Sequence, residues 1–349
     1  MAHELTLRAN GRAEMAFVGE TPWHGLGQSI TKGASLGVWA KEAGMDWSAR
    51  EGVPVAFGRH STETASGREE IHFPGHKALW RSDTQAPLAI VGSGYNVVQP
   101  RDVLEFFRDM TESGGWYIHT AGTLLGGRKL WAMASNGEGA MVGGKKSKDE
   151  VMQNVLMATS LDGSMKTTVA LTAVRVVCAN TLALALDDLF NKNVVRISHR
   201  SVFDKQAVLK TLGLATNGFA AFMEKARELS ETPIKFDEAR AVLAGILDPK
   251  REEKRAAANK LAWLGDLSAL QVAPEPEDSR TITGVLDLFG GLGMGSQLPG
   301  SKGTRWGLLN AVTQYVDHAM GRSDDTRLDS AFFGRGADLK KQAFAALIA

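Results

Sequence analysis

Over the first hundred residues, apolar positions fall in short runs separated by polar turns. VPVAF (53–57) and IHFPGHKALWR (71–81) read as strands flanking the polar tract GRHSTETASGREE, which has the character of a long hairpin loop. LAIVGSGYNVV (88–98) reads as another strand, broken by two glycines. The period then changes. In PRDVLEFFRDMTES, Pro100 suits a first helical turn, and Val103, Leu104, Phe106, Phe107 and Met110 make one apolar helical face. WYIHTAGTLL and RKLWAMAS return to strand character around the turn pair Gly126 and Gly127. VMQNVLMATS and MKTTVALTAVRVV do the same around Asp162 and Gly163. Between these hairpins, the Gly- and Lys-rich NGEGAMVGGKKSKDE (136–150) predicts a mobile loop.

In TAVRVVCANTLALAL the last strand is expected to enter a helix, with Asn180 or Thr181 as N-cap and Leu182, Leu184 and Leu186 buried. From about residue 203 the spacing is helical: FDKQAVLKTLGLATNGFAAFMEKARELSE, KFDEARAVLAGIL and KREEKRAAANKLAWLGDL. QVAPEPEDSRT (271–281) is a polar, proline-bearing connection, and LFGGLGMGSQLPGSKGT (289–304) predicts a flexible glycine-rich connector. RWGLLNAVTQYVDHAMG and GADLKKQAFAALIA close the chain as helices. The expected fold class is α+β: an antiparallel sheet of two hairpins flanked by helices, with a mostly helical C-terminal region. The 349 residues accommodate two domains. The expected division is an α+β domain with a hairpin core over 1–205 and a mainly helical region over 206–349.

Composition acts mainly by exclusion. Hydrophobic residues make up 44% and charged residues 23%, ordinary for a globular chain that builds its own core. The single Cys178 cannot pair within the chain, so a reducing cytoplasm is the expected setting. No run of about 18 apolar residues predicts a membrane-spanning helix. The N-terminal MAHELTLRANGRAEMAF lacks the basic head and apolar stretch of a signal peptide. A net charge of +1 supplies no global attraction for nucleic acid, so any such binding needs a local patch.

Candidate chemistry is sparse. GSQLPGSKGT departs from a nucleotide-binding loop: Ser301 separates Gly300 from Lys302, and Gly303 stands where Ser or Thr would hold magnesium. His24, His72 and His76 sit in strand and turn contexts without the further ligands a zinc site requires. Trp23 and Leu26 around His24 suit a docking turn. Asp317 and His318 share a polar helical sector with Asn310 and Thr313, yet adjacent helical residues point about 100° apart, which favours packing over proton exchange. Apolar neighbours make Cys178 a small buried hydrophobe. No catalytic residue, metal or cofactor is expected. An enzyme would have to draw its site from His24, Asp317 or His318.

Charge concentrates between 128 and 200, where ten cations meet six carboxylates. Arg128, Lys129, Lys145, Lys146, Lys148, Lys166 and Arg175 are the candidate phosphate contacts, and Trp131 the candidate base-stacking ring, with Trp116 and Tyr117 nearby. Arg175 interrupts an apolar strand. Its guanidinium needs either a carboxylate, such as Asp187, or a phosphate at the sheet edge.

PWHGLG, GSGYNVVQ, AGTLLGGRKLWAMA, VRVVCANTLALAL and GTRWGLLNAVTQYVDH, in this order, resemble a family of phage- and plasmid-borne proteins catalogued as a domain of unknown function (DUF family 932). The resemblance implies a mobile-element setting and brings no established activity. The order helix, GGW, hairpin strands, helix is also similar in topology to the core of Rad-type single-strand annealing proteins. This second resemblance implies a single-stranded DNA-binding homo-oligomer, in a ring, that anneals strands in recombination or replication without ATP or metal. The near-neutral charge departs from that group's basic core. The rival reading is a protein-interaction module of a mobile element acting on a host partner, such as a defence antagonist.

Overall fold

The computed structural model describes residues 5–8, 10–19, 26–59, 68–113, 115–143, 148–175, 180–181, 194–213, 217–247, 279–320, 330–331 and 334–349. The chain is α+β, with its sheets in the N-terminal part. In order it forms β1 (Met15–Phe17), β2 (Gln28–Ser29), α1 (Leu36–Glu42), β3 (Ala49–Gly52), β4 (Val55–Arg59), β5 (Arg68–His72), β6 (His76–Arg81) and β7 (Pro87–Gly92). Two short helices follow, α2 (Pro100–Phe106) and α3 (Arg108–Ser113). The central strands are β8 (Tyr117–Leu124), β9 (Lys129–Val142), β10 (Asp149–Ser160) and β11 (Thr167–Arg175), with edge pieces β12 (Asn180–Thr181) and β13 (Val194–Ile197). Helices then take over: α4 (Lys205–Gly213), α5 (Asn217–Glu231), α6 (Phe236–Leu247), α7 (Arg280–Asp287), α8 (Arg305–His318) and α9 (Arg335–Ile348).

The main sheet runs β12-β11-β10-β9-β8-β1-β2, and β13 joins β11 on the same edge as β12. Its heart is two consecutive hairpins, β8–β9 and β10–β11, paired antiparallel through β9 and β10. Strand alternation sorts the side chains. Leu130, Ala132, Ala134, Val155, Met157, Val169 and Leu171 face one core, shared with Trp39, Leu79, Phe106 and Phe107. Trp131, Met133, Leu156 and Ala158 face the other, shared with Leu5, Met15 and Leu124. Farther along the same strands, Val142, Val151 and Ala173 join Phe222, Trp306 and Phe344 from the C-terminal helices. The helices therefore pack on the sheet. A three-stranded sheet, β3-β6-β7, and the separate hairpin β4–β5 complete the described strands.

Several expectations need correction. PRDVLEFFRDMTES is two helices, because Phe106 and Phe107 are both fully buried, and the Phe107 amide closes a tighter turn onto Leu104 O. The 136–150 stretch is mostly strand: β9 continues to Val142, β10 starts at Asp149, and a bulge near Met152 absorbs the irregularity. Gly126 and Gly127 are not a two-residue turn. Leu124 pairs with Lys129, and Leu125 (φ 56°), Gly126 (φ 71°) and Gly127 (φ 95°) all lie in the left-handed region. Asn180 and Thr181 pair with Arg175 and Val174 as β12, and the helix they were expected to cap lies outside the described residues. The polar 58–70 tract is partly strand, since β4 and β5 pair from Val55–His72 out to Arg59–Arg68. After 203 the described helices are α4 and α5, and 214–216 between them lie outside the described residues. The glycine-rich 289–304 segment is seated on the sheet, with Ser301 buried and Gly300 against Gly143. The expected helix at 250–267, the segment 182–190 and Cys178 lie outside the described residues. Among the described residues no helix is long and apolar enough to cross a membrane.

Candidate functional site

Register separates the sequence-predicted cations into two groups. Lys129 pairs with Ser160 at one end of β10, while Val151, near the other end, pairs with Arg175. Asp149 to Ser160 spans roughly 35–40 Å at about 3.4 Å per residue. Arg128, Lys129 and Lys166 gather at the first end. Lys148 is exposed at the second end, where the Arg175 backbone also lies. Lys145, Lys146 and the Arg175 side chain, with the proposed partner Asp187, fall outside what is described. Among the described candidates, Lys148 therefore lies apart from Arg128, Lys129 and Lys166. Trp131 is 3% exposed within the core, so its ring offers no face to a ligand.

The first end is built by two turns tied together. The Leu161 amide donates to Arg128 O at 2.7 Å, joining the β8–β9 turn to the β10–β11 turn. Arg128 is exposed, and its Nε donates back to Leu125 O at 3.0 Å. Lys129 is buried at 8%, while Lys166 is exposed. The edge strand and the turn that follows it add two cations absent from the candidate contacts, Arg196 and Arg200, both exposed. Thr168 pairs with Arg196, so β13 brings them beside Lys166. The segments 125–129, 160–168 and 194–200 thus carry five cations against one carboxylate, Asp162. The sequence signal for the extra pair was RISHR; only pairing of β13 to β11 gives it meaning.

A buried charge network lies under the β8–β9 turn. Arg81 and Glu14 are each 2% exposed and bond through both guanidinium Nη atoms, at 2.7 and 2.9 Å. Arg81 also bonds Asp83, reaches Gly126 O at 3.4 Å and stacks over Trp47. Burial works against the Arg81 charge, but Asp83 and Glu14 outweigh it and raise its pKa. The same contact holds the Asp83 carboxyl below its ordinary value, against the upward push of burial. A Cβ at Gly127 would stand 2.8 Å from Trp47 Cζ2, so only glycine fits the turn there. This network supports the strained turn that carries Arg128.

Beside the sheet edge lies a cleft of about 530 Å³. It opens between β3, β6, α2 and the connection from β13 to α4, and Thr167, Ser198 and His199 border it. Tyr95 stacks on His199 with ring centroids 4.3 Å apart, and its hydroxyl donates to Ser160 O. Burial raises the Tyr95 pKa, so the phenol stays protonated.

The other candidates have structural partners. Asp317 pairs with Lys340 at 2.9 Å, both buried. Thr313 and Asn310 donate to carbonyls of their own helix, α8. Asp149, fully buried, accepts from Trp306 Nε1 and Ser301 Oγ, and this locks the glycine-rich loop to β10. Exposed His72 lies 3.7 Å from Glu70, and His24 lies outside the described residues. Among the described residues no group of three His, Cys, Asp or Glu is placed to hold a metal.

A family model described as a domain of unknown function (DUF932) matches residues 87–332. The match contains both hairpins, β13 and helices α4 to α8, and so all five cations of that end. No curated protein and no solved structure matches the chain.

Proposed function

We propose that this chain, which belongs to the DUF932 family, binds single-stranded DNA at the five-cation end of its central sheet. The observation that carries the reading is the convergence of the exposed Arg128, Lys166, Arg196 and Arg200, with Lys129 buried beside them, on two tied turns, one edge strand and the turn after it, in a chain of net charge +1. Phosphates are drawn to such a cluster, and counterion release makes the attraction salt-dependent. Turns braced by buried pairs hold the cations with little ordering cost. In the fuller form of the proposal the protein is a non-enzymatic, cytoplasmic homo-oligomer, ring-shaped, of a phage or plasmid, and it assists strand annealing in recombination or replication.

One observation favours the rival interaction-module reading. The described side chains of the β4–β5 hairpin belong to no described hydrophobic cluster, and the hairpin with its flanks exposes Val53 (52%), Ile71 (45%) and Phe73 (43%). Under the first reading the same residues are contacts between copies.

The test is fluorescence anisotropy of a labelled single-stranded oligonucleotide in low and moderate salt, with sizing in parallel. Salt-sensitive binding that weakens in Arg128→Ala/Lys166→Ala/Arg200→Ala supports the proposal. Absence of binding at low salt rejects it and turns attention to the hairpin.

A further inference from the structure

The cleft beside the five-cation end has a composition unlike its surroundings. Its cations are matched: Lys77 pairs with Glu51 at 2.8 Å, and Lys205 pairs with Asp109 at 3.0 Å and donates to Glu105 O. Asp102 and Glu105 add further carboxylate to the lining. A phosphate gains nothing from such walls, whereas a neutral, flat group with polar edges does. Apolar surface is present for it. Val202, at the lip, is 81% exposed, and Phe203 and Val97 lie inside. Asn96 is exposed, and its amide both donates and accepts. The Asn96 backbone is pinned, its N–H donating to His199 O at 2.6 Å and its O facing His199 Nδ1 at 3.2 Å. That side chain therefore projects from a fixed point.

We propose that this cleft receives an unpaired base of the strand whose phosphates rest on Arg128, Lys166 and Arg200. The inference rests on the strand-binding reading above. Geometry links the two sites. Lys166 precedes Thr167 of the cleft wall, Arg200 follows Ser198 and His199, and among the described residues β13 is the sheet edge there. A backbone crossing that edge places its phosphates on the cations and turns a base toward the cleft. A volume of about 530 Å³ lies within the range of sites that enclose small ligands. Val202, Val97 and Phe203 supply the apolar contact and Asn96 the edge contact. An amide reading one base edge without a fixed partner implies tolerance of sequence.

The experiment compares an oligonucleotide with an abasic strand of the same length and phosphate count, by anisotropy at one salt concentration. The intact strand is expected to bind about tenfold more tightly, the scale of one sheltered base. In Asn96→Trp, which fills the mouth, and in Val202→Glu, which charges an already exposed lip, its affinity is expected to fall to that of the abasic strand. Thermal melting checks that both variants fold, and the exposed position of Val202 protects the second from a folding defect. Equal affinity of intact and abasic strands overturns the base cleft while strand binding stands. A base preference unchanged by both variants also overturns it, because the base is then held elsewhere. No binding of either strand at low salt overturns both proposals.

Discussion

At the scale of single residues, the sharpest dependence is on Arg81. Its guanidinium satisfies Glu14 and Asp83, reaches Gly126 O and covers Trp47. Arg81→Met leaves the buried Glu14 carboxylate without its main partner. The expected loss is about 3–5 kcal/mol of stability, measured by urea unfolding. Arg81→Lys is expected to recover only part of this, since an ammonium cannot reproduce the two-pronged contact. His119 gives a pH dependence. Burial lowers its pKa below 6.5, so as pH falls the unfolded chain takes up the proton before the folded chain does. Its contribution is present above about pH 6.5 and is lost as pH falls through the lowered folded value. His119→Gln is expected to flatten the melting temperature against pH in that window. An unchanged profile would assign the acid sensitivity to other groups.

At the scale of elements, the junction between β9 and the glycine-rich loop decides how the helices sit on the sheet. Gly143 has φ 80°, and a Cβ there would lie 2.3 Å from Pro299 O. Gly143→Ala is expected to cost about 1–3 kcal/mol by forcing the loop away from β9. Gly75 is the control, because a Cβ there meets nothing within 4 Å. Calorimetry on the two variants separates close approach from a general intolerance of alanine. The same junction shows why the connector reading failed. A run of glycines has one composition whether it is loose or pressed against another backbone. Here Asp149, accepting from Ser301 and Trp306, makes the difference.

At the scale of the whole molecule, Arg128 and Lys166 lie at one end of β10 and Lys148 at the other, so binding at one end should be indifferent to the other. The salt dependence of oligonucleotide affinity is the measurement. Each phosphate contact removed lowers the log–log slope by about 0.7 for a single strand. Arg128→Ala and Lys166→Ala are expected to lower it together by about twice that amount, and Lys148→Ala to leave it unchanged. A drop in slope for Lys148→Ala instead would extend the path of the strand along the sheet.

Much of this molecule was legible from residue order. Alternation in RKLWAMAS, VMQNVLMATS and MKTTVALTAV specifies strands, and helical spacing specifies α5, α6, α8 and α9, because each pattern buries one face at its own period. Local chemistry likewise gave Pro100 its place at the start of a helix. Pairing and burial were not written there. Trp131 and Leu130 are both buried because the sheet has a core on each side, and alternation alone cannot tell a covered second face from a solvated one. Arg196 and Arg200 join Arg128 through the β13–β11 register, across more than sixty residues of chain. Lys148 leaves the group because the 14 residues of β9 carry the chain from Lys129 to the far end of β10. Sequence determined which segments are strand or helix, since those preferences act between near neighbours. Only the tertiary structure decided which cations meet, because that depends on how distant strands align.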